Sequence, residues 1–238
     1  MSLFTIHLSL KVAVVFLNKI ARLASLMLIT PLAAAAPGQG MEKQVPPTPA
    51  ALHERLTQIG QDPAKLSAAV QRGQKDASVC RHCHGAGGNS VLPEVPNLAS
   101  QNADYLLAQM NKFVAGQRKT SAFMTGMIKA LTPDERIDIA LFLSQQPVVS
   151  RPAAVGTHGE TGKRLYEKLC VSCHGARGTG THTIPRLAGQ QAKYLEDSLK
   201  RYRGGNGDRI DPMMAAYTRN LKDADIQNLS AFLTTLQP

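Results

Sequence analysis

The chain has 238 residues, 43% of them apolar but only 5% aromatic, with no tryptophan and a formal net charge of +10, which becomes +7 without Lys11, Lys19 and Arg22. Its lysines and arginines are scattered and no long basic run is interleaved with aromatics, which excludes a nucleic-acid-binding surface. The length suits two small domains, and small domains this poor in aromatic side chains need a cross-link, a metal or a bound group to complete their cores.

The N-terminus reads as a secretory signal over residues 1–35: Lys11, Lys19 and Arg22 precede the apolar run Leu23 to Leu32 and the small residues Ala33 to Ala36, and no acidic residue occurs before Glu42. Cleavage is expected after Ala35, the other reading being a retained anchor, since Leu3 to Leu17 is also apolar. Residues 36–61 form an extension that opens with the proline-rich Val45 to Pro49 and leads into a short helical stretch within Ala50 to Ile59.

From there one unit is written twice, as 62–146 and 157–238, joined by a linker at 147–156 that contains Pro147 and Pro152. The cysteines fall in two pairs, Cys80 with Cys83 and Cys170 with Cys173, at an interval of 90 residues. Pro96, Leu98, Ala99, Gln101, Tyr105 and Leu106 recur 89 residues later as Pro185, Leu187, Ala188, Gln190, Tyr194 and Leu195. Met124, Leu131, Phe142 and Leu143 recur 90 residues later as Met214, Leu221, Phe232 and Leu233. The strong periodicities are helical: Asn102 caps a predicted helix through Leu106, Met110 and Phe113, and its copy carries Leu195, Leu199 and Tyr202 before stopping at Gly204 and Gly205. The last helix of the first unit begins with the capping box Thr132 to Glu135, with Pro133 in its first turn, and its copy runs through Ile226, Leu229, Leu233 and Leu236. No run alternates as a strand would, so the expected fold is all-α, two tandem helical domains.

Cys80-Arg81-His82-Cys83-His84 and Cys170-Val171-Ser172-Cys173-His174 both fit C-x-x-C-H, the attachment signature of a c-type haem. Residues three apart share a face of a helical turn, so two thiols at this spacing reach two carbons on one edge of a ring, and the next histidine lies under its iron. A single zinc site built from all the cysteines has no use for a histidine after each pair or for a second copy of the surrounding helices. A thioredoxin-like pair requires a βαβ context, and a disulfide within one helical turn is poorly placed. Two haems c are therefore expected. Each iron has a sixth position, whose occupant decides between electron transfer and catalysis. Met124 and Met214 each lie 40 residues after their histidine and are the candidates for it, with Met127 and Met213 as rivals and Met110 read as core filler. Pro96 and Pro185, 12 and 11 residues after the histidines, offer carbonyls for the second ring nitrogen, the alternative being plain loop prolines. His53, His82, His158 and His182 have no duplicated partner and read as surface residues, His182 with a rival reading as a distal residue.

The motifs CRHCHG and CVSCHG, the stretches PNLASQNADYL and PRLAGQQAKYL, MTGMIKALTPDE with MMAAYTRNLKDAD, and the closing IALFL and LSAFL together resemble the periplasmic diheme cytochromes of the cytochrome c4 type, from about Asp62 to the C-terminus. The resemblance implies two cytochrome c domains. It also implies axial methionines seven residues before the leucine that leads into each last helix, which points to Met124 and Met214, and histidine-orienting carbonyls at Pro96 and Pro185. Ser100 departs from the pattern, standing where the second half has the family's usual glycine, Gly189, and the extension before Asp62 is no part of it.

The function expected is therefore electron transport without catalysis. The resemblance implies a membrane quinol-oxidising complex as donor and a haem-copper oxidase as acceptor. The mildly basic surface offers steering toward an acidic partner face, ordinary solubility being the other reading, and a retained N-terminal segment would bring peripheral membrane association. Two alternatives stand: a cytochrome subunit of a periplasmic dehydrogenase, for example one acting on sulfur compounds, and a diheme peroxidase with one open iron.

Overall fold

The computed structural model describes residues 46–149, 157–205 and 211–238. The expected signal segment, the start of the extension and linker residues 150–156 lie outside the described residues. Every element within them is helical, and no helix among them is long and apolar enough to cross a membrane.

The first half begins with α1 (Pro49–Gln61), whose N-terminus is closed by Thr48 Oγ1 accepting from the Ala51 amide at 3.2 Å. Asp62 then caps α2 (Pro63–Asp76), accepting from the amides of Ala64 and Lys65 at 3.0 and 3.1 Å. The single turn α3 (Arg81–His84) carries the first Cys-His motif, and α4 (Ala103–Val114), α5 (Ala122–Lys129) and α6 (Pro133–Ser144) complete the half. The second half repeats the order as α7 (Thr157–Leu169), α8 (Val171–His174), α9 (Ala192–Gly204), α10 (Pro212–Thr218) and α11 (Asp223–Thr235).

In each half the first long helix of the unit crosses the last: α2 packs on α6 and α7 on α11. The crossings are close because of one glycine each. A Cβ on Gly73 would overlap the main-chain carbonyl of Asp138, and a Cβ on Gly162 that of Asn228, with Phe142 and Phe232 next to them. Around these crossings lie two cores. One contains Leu106, Met110, Phe113, Ile139 and Leu143, and the other Tyr166, Leu195, Ile226, Leu229 and Leu233. Met110 is thus the core filler expected of it.

The helical stretch of the extension belongs to the first core: α1 packs on α2, α4 and α6 and buries Leu52 and Leu56. The neighbouring helices are written for that cover. Leu107, Ile137 and Leu141 are buried in the first half, whereas their copies Glu196, Gln227 and Ala231 are polar or small and reach solvent in the second, which has no such helix among the described residues.

The capping box forms as expected, with Glu135 N donating to Thr132 Oγ1 at 3.2 Å and Thr132 N to Glu135 Oε2 at 2.7 Å. Those Thr132 bonds, backbone first, hold the Glu135 carboxyl below its usual range. Asp225 serves the same purpose at α11, accepting from Lys222 N at 2.8 Å. That helix ends at Thr235, so Leu236 follows it as the C-cap instead of lying within it.

Asn102 stands at the N-cap of α4 but makes no side-chain capping bond. Its amide turns to the other half, donating toward the carbonyls of Thr181 at 2.5 Å, Ile184 at 2.7 Å and Thr179 at 3.3 Å. It accompanies a set of buried bonds that join the halves with the reciprocity of a two-fold interface. Gln190 Oε1 accepts from Asn97 N at 2.7 Å while Gln190 Nε2 donates to Asn97 O at 2.9 Å. Gln101 Oε1 accepts from Arg186 N at 2.7 Å while Gln101 Nε2 donates to Arg186 O at 3.0 Å. Asn97 and Arg186 are themselves copies of each other in the repeat, as are Gln101 and Gln190.

The Ser100 departure also has a structural meaning. Ser100 and Gly189 both sit in left-handed backbone, with φ of 53° and 65°. Their amides donate to Leu143 O at 2.9 Å and Leu233 O at 3.0 Å, which ties each turn to the last helix of its own half.

These backbone contacts set two expectations for stability. Alanine at Gly73 or Gly162 is expected to destabilise the protein by about 1–3 kcal/mol through overpacking, against a helix-propensity gain of about 1 kcal/mol; urea unfolding checks it, and an unchanged midpoint would remove the close crossing from the account. Ser100→Gly is expected to stabilise by about 1 kcal/mol by relieving left-handed strain. Gly189→Ala should do the reverse, and its Cβ would also meet Val148 at 3.0 Å; thermal unfolding of the two variants reads the opposite signs.

Candidate haem sites

Each Cys-His motif folds as one helical turn because its fifth residue closes it: His84 N donates to Cys80 O at 2.9 Å and His174 N to Cys170 O at 3.0 Å. No disulfide joins any of the four cysteines. Cys80 and Cys170 are half-buried while Cys83 and Cys173 are exposed. Burial pushes the Cys80 thiol up, and burial together with Cys173 pushes the Cys170 thiol up to about 11.

The two histidines are buried, His84 at 7% and His174 at 6% exposure. Their Nδ1 atoms donate to backbone carbonyls, His84 to Pro96 O at 2.9 Å and His174 to Pro185 O at 3.0 Å. The loops carrying those carbonyls are pinned alike: the amides of Leu98 and Ala99 donate to Gly88 O, and those of Leu187 and Ala188 to Gly178 O, at 2.7 and 3.1 Å in each half. Burial pushes both imidazoles toward the neutral form, and the carbonyl bond opposes it only in part; Arg118 adds to the lowering at His84. A neutral ring whose Nδ1 hydrogen is committed to a carbonyl presents Nε2 as its free lone pair, which is what a metal requires of histidine.

In the first half a cleft brings the motif and α5 together, with Cys80, Cys83 and His84 facing Met124, Met127 and Ile128 in it. Thiols for a covalent edge, an oriented imidazole, thioethers and a largely apolar wall are the donor set a c-type haem needs.

Met124 and Met214 occupy the same place in their short helices. Met124 N donates to the capping Ser121 Oγ at 3.2 Å, and Met214 N to the capping Asp211 Oδ1 at 3.1 Å. Both side chains are half-buried. The rivals are not duplicated: the copy of Met127 is Tyr217, and Met213 is the copy of Phe123, these last two being 62% and 66% exposed.

Of the remaining histidines, His82 is exposed and lines the first-half cleft, and His158 is exposed with its Nδ1 paired to Asn228 Oδ1 at 2.6 Å. His53 and His182 are exposed too, but both face the buried Asp104, their Nδ1 atoms 2.6 and 3.0 Å from its two oxygens. His182 thereby bonds to the first half. Asp104 was not singled out in the sequence, because its partners come from α1 and from the second half. Nor was Tyr166, which is fully buried, donates to Gly175 O at 2.6 Å beside the second motif and is pushed up to about 12 by burial. Arg186 also escaped notice. It is a buried cation lowered to about 10 by desolvation, bonded to the carbonyls of Ser100 at 3.2 Å and Ala99 at 2.7 Å across the boundary and to that of Ala188 in its own half. Only the glutamines left a signal, as polar residues repeated at the register of the cores.

Comparison with known proteins agrees with this geometry. The cytochrome c family model matches residues 70–147 and again residues 159–237. Cytochrome c4 of Pseudomonas aeruginosa is 35% identical over 176 residues, covering 69% of this chain and 87% of that protein. A thiosulfate dehydrogenase electron acceptor of Thiomonas intermedia is 32% identical, covering 64% of this chain and 75% of that protein. The crystal structure of reduced recombinant cytochrome c4 from Pseudomonas stutzeri superposes with a TM-score of 0.64 at 30% identity, covering 71% of this chain and 98% of that one. The chain belongs to the cytochrome c family as an electron carrier of the cytochrome c4 type, with two tandem cytochrome c domains and a covalent haem c in each.

Proposed function

We propose that this protein carries electrons in the periplasm from a quinol-oxidising complex to a haem-copper oxidase, each iron held between a histidine and a methionine. Cys80 with Cys83, and Cys170 with Cys173, would form the thioether attachments; His84 and Met124 would hold the iron in the first half, His174 and Met214 in the second. The observation that carries the reading is the pair of buried histidines with Nδ1 bonded to the Pro96 and Pro185 carbonyls at 2.9 and 3.0 Å.

The bound group supplies a one-electron ferric/ferrous couple. The residues of the chain keep that couple from changing shape. The carbonyls fix each imidazole, the capped third residue of α5 and of α10 fixes each thioether, and the apolar wall of the first cleft keeps water out. A thioether favours the ferrous state and raises the potential. Two methionines at one register leave neither sixth site open, which favours a carrier over a peroxidase. The expected signal at residues 1–35 supports the periplasmic location.

A second reading, reception of electrons from a sulfur-compound dehydrogenase, is favoured by the likeness to the thiosulfate dehydrogenase electron acceptor of Thiomonas intermedia.

Absorption spectra of the oxidised protein are expected to show two low-spin haems with the sulfur-to-iron charge-transfer band. Met124→Ala and Met214→Ala should each remove about half of that band, since each removes one of two thioether ligands. Met127→Ala and Met213→Ala should leave it intact; the reverse pattern would reassign the ligands. Stopped-flow mixing separates the partners. Fast reduction of a haem-copper oxidase supports the first reading, and fast reduction by a thiosulfate dehydrogenase with a sluggish oxidase reaction supports the second.

A further inference from the structure

The carbonyl that orients each histidine belongs to a peptide group whose other end is held by the opposite domain. In the Pro96–Asn97 peptide the oxygen accepts from His84 Nδ1 at 2.9 Å and the N–H donates to Gln190 Oε1 at 2.7 Å. In the Pro185–Arg186 peptide the oxygen accepts from His174 Nδ1 at 3.0 Å and the N–H donates to Gln101 Oε1 at 2.7 Å. Asn97, Arg186 and both glutamines are buried.

The orientation of each glutamine amide follows from its partners. One end must accept from a backbone N–H and the other must donate to the carbonyl of the same residue, Asn97 O at 2.9 Å or Arg186 O at 3.0 Å. Each Oε1 also takes the next residue's amide, Asn102 N at 3.0 Å and Gln191 N at 2.9 Å. Flipping either amide would set donor against donor and acceptor against acceptor.

An amide is conjugated, so a hydrogen bond accepted from its N–H draws charge toward its oxygen and makes that oxygen a better acceptor, an effect that grows in a buried, low-dielectric setting. A stronger acceptor on Nδ1 makes the imidazole a stronger electron donor through Nε2, and bonding around an axial ligand is one of the levers on haem potential. We propose that Gln190 and Gln101 are positioning residues that act across the domain boundary, each setting the donor strength of the other domain's axial histidine and so the potential of that domain's haem. The inference rests on the reading of His84 and His174 as iron ligands. It makes the interface part of the redox chemistry: separating the domains would release the N–H end of both relays at once.

The test replaces each glutamine with methionine, close to it in shape but without the polar ends, in the full diheme protein. The potential of each haem is then followed separately through its own methyl resonances in NMR redox titrations. Gln190→Met is expected to raise the potential of the first-domain haem and leave the second in place, and Gln101→Met to do the opposite. Asn102→Ala removes side-chain bonds between the domains that touch neither peptide, and should move neither potential. The two glutamine variants are independent, so either one, if folded, carries the test. Both haems shifting together in all three variants would mean a loosened interface and overturn the proposal, as would potentials unmoved while the low-spin histidine–methionine spectra stay intact. A wild-type protein lacking those spectra would overturn the ligand reading, and the proposal with it.

Discussion

A buried imidazole has one hydrogen to place, and in this chain it is placed twice on a proline carbonyl. The bonds from His84 to Pro96 and from His174 to Pro185 set what surrounds them. The motif turn must present the ring at a fixed height, and the loop that carries the carbonyl must not slide. The last helix of each half must also hold that loop, which it does through the amides of Ser100 and Gly189. The close crossings at Gly73 and Gly162 keep that last helix against the helix that precedes the motif. The rigidity of each half thus converges on one ring, and rigidity is what outer-sphere electron transfer asks of a protein, because motion of the ligands on each redox cycle would add to the barrier.

The two halves are not equivalent, although one pattern underlies both. The first is covered by α1 and carries leucine and isoleucine where the second has Glu196 and Gln227. Asn97 in the first half corresponds to Arg186 in the second, so a buried cation lies beside one histidine-orienting peptide and an amide beside the other. The interface is quasi-symmetric in its main-chain bonds and asymmetric in its charge, an arrangement that gives two sites of one chemistry in two electrostatic settings.

Much of this was legible in the sequence, for local reasons. The cysteine and histidine spacing is imposed by covalent geometry, the methionine spacing repeats with it, and Thr132 with Glu135 is a cap whose partners are three residues apart. What could not be read involves partners distant in the chain. Asn102 has the composition and place of a cap, yet the carbonyls of Thr181 and Ile184 compete for its amide, and they lie about 80 residues further on. Asp104 is a surface-type residue until α1 and the second half bring two histidines to it. The helix within 49–61 was visible as a helix, but its burial was written only in the contrast between Leu107, Ile137 and Leu141 and their copies.

The most direct test of the central claim is the exchange behaviour of the two histidine Nδ1 hydrogens in the oxidised diheme protein, read by paramagnetic NMR. The account predicts two hyperfine-shifted Nδ1–H resonances, one per haem, both protected from solvent exchange because each is buried and bonded to a proline carbonyl. A missing or rapidly exchanging resonance at either haem would contradict it, showing a histidine that the fold does not hold.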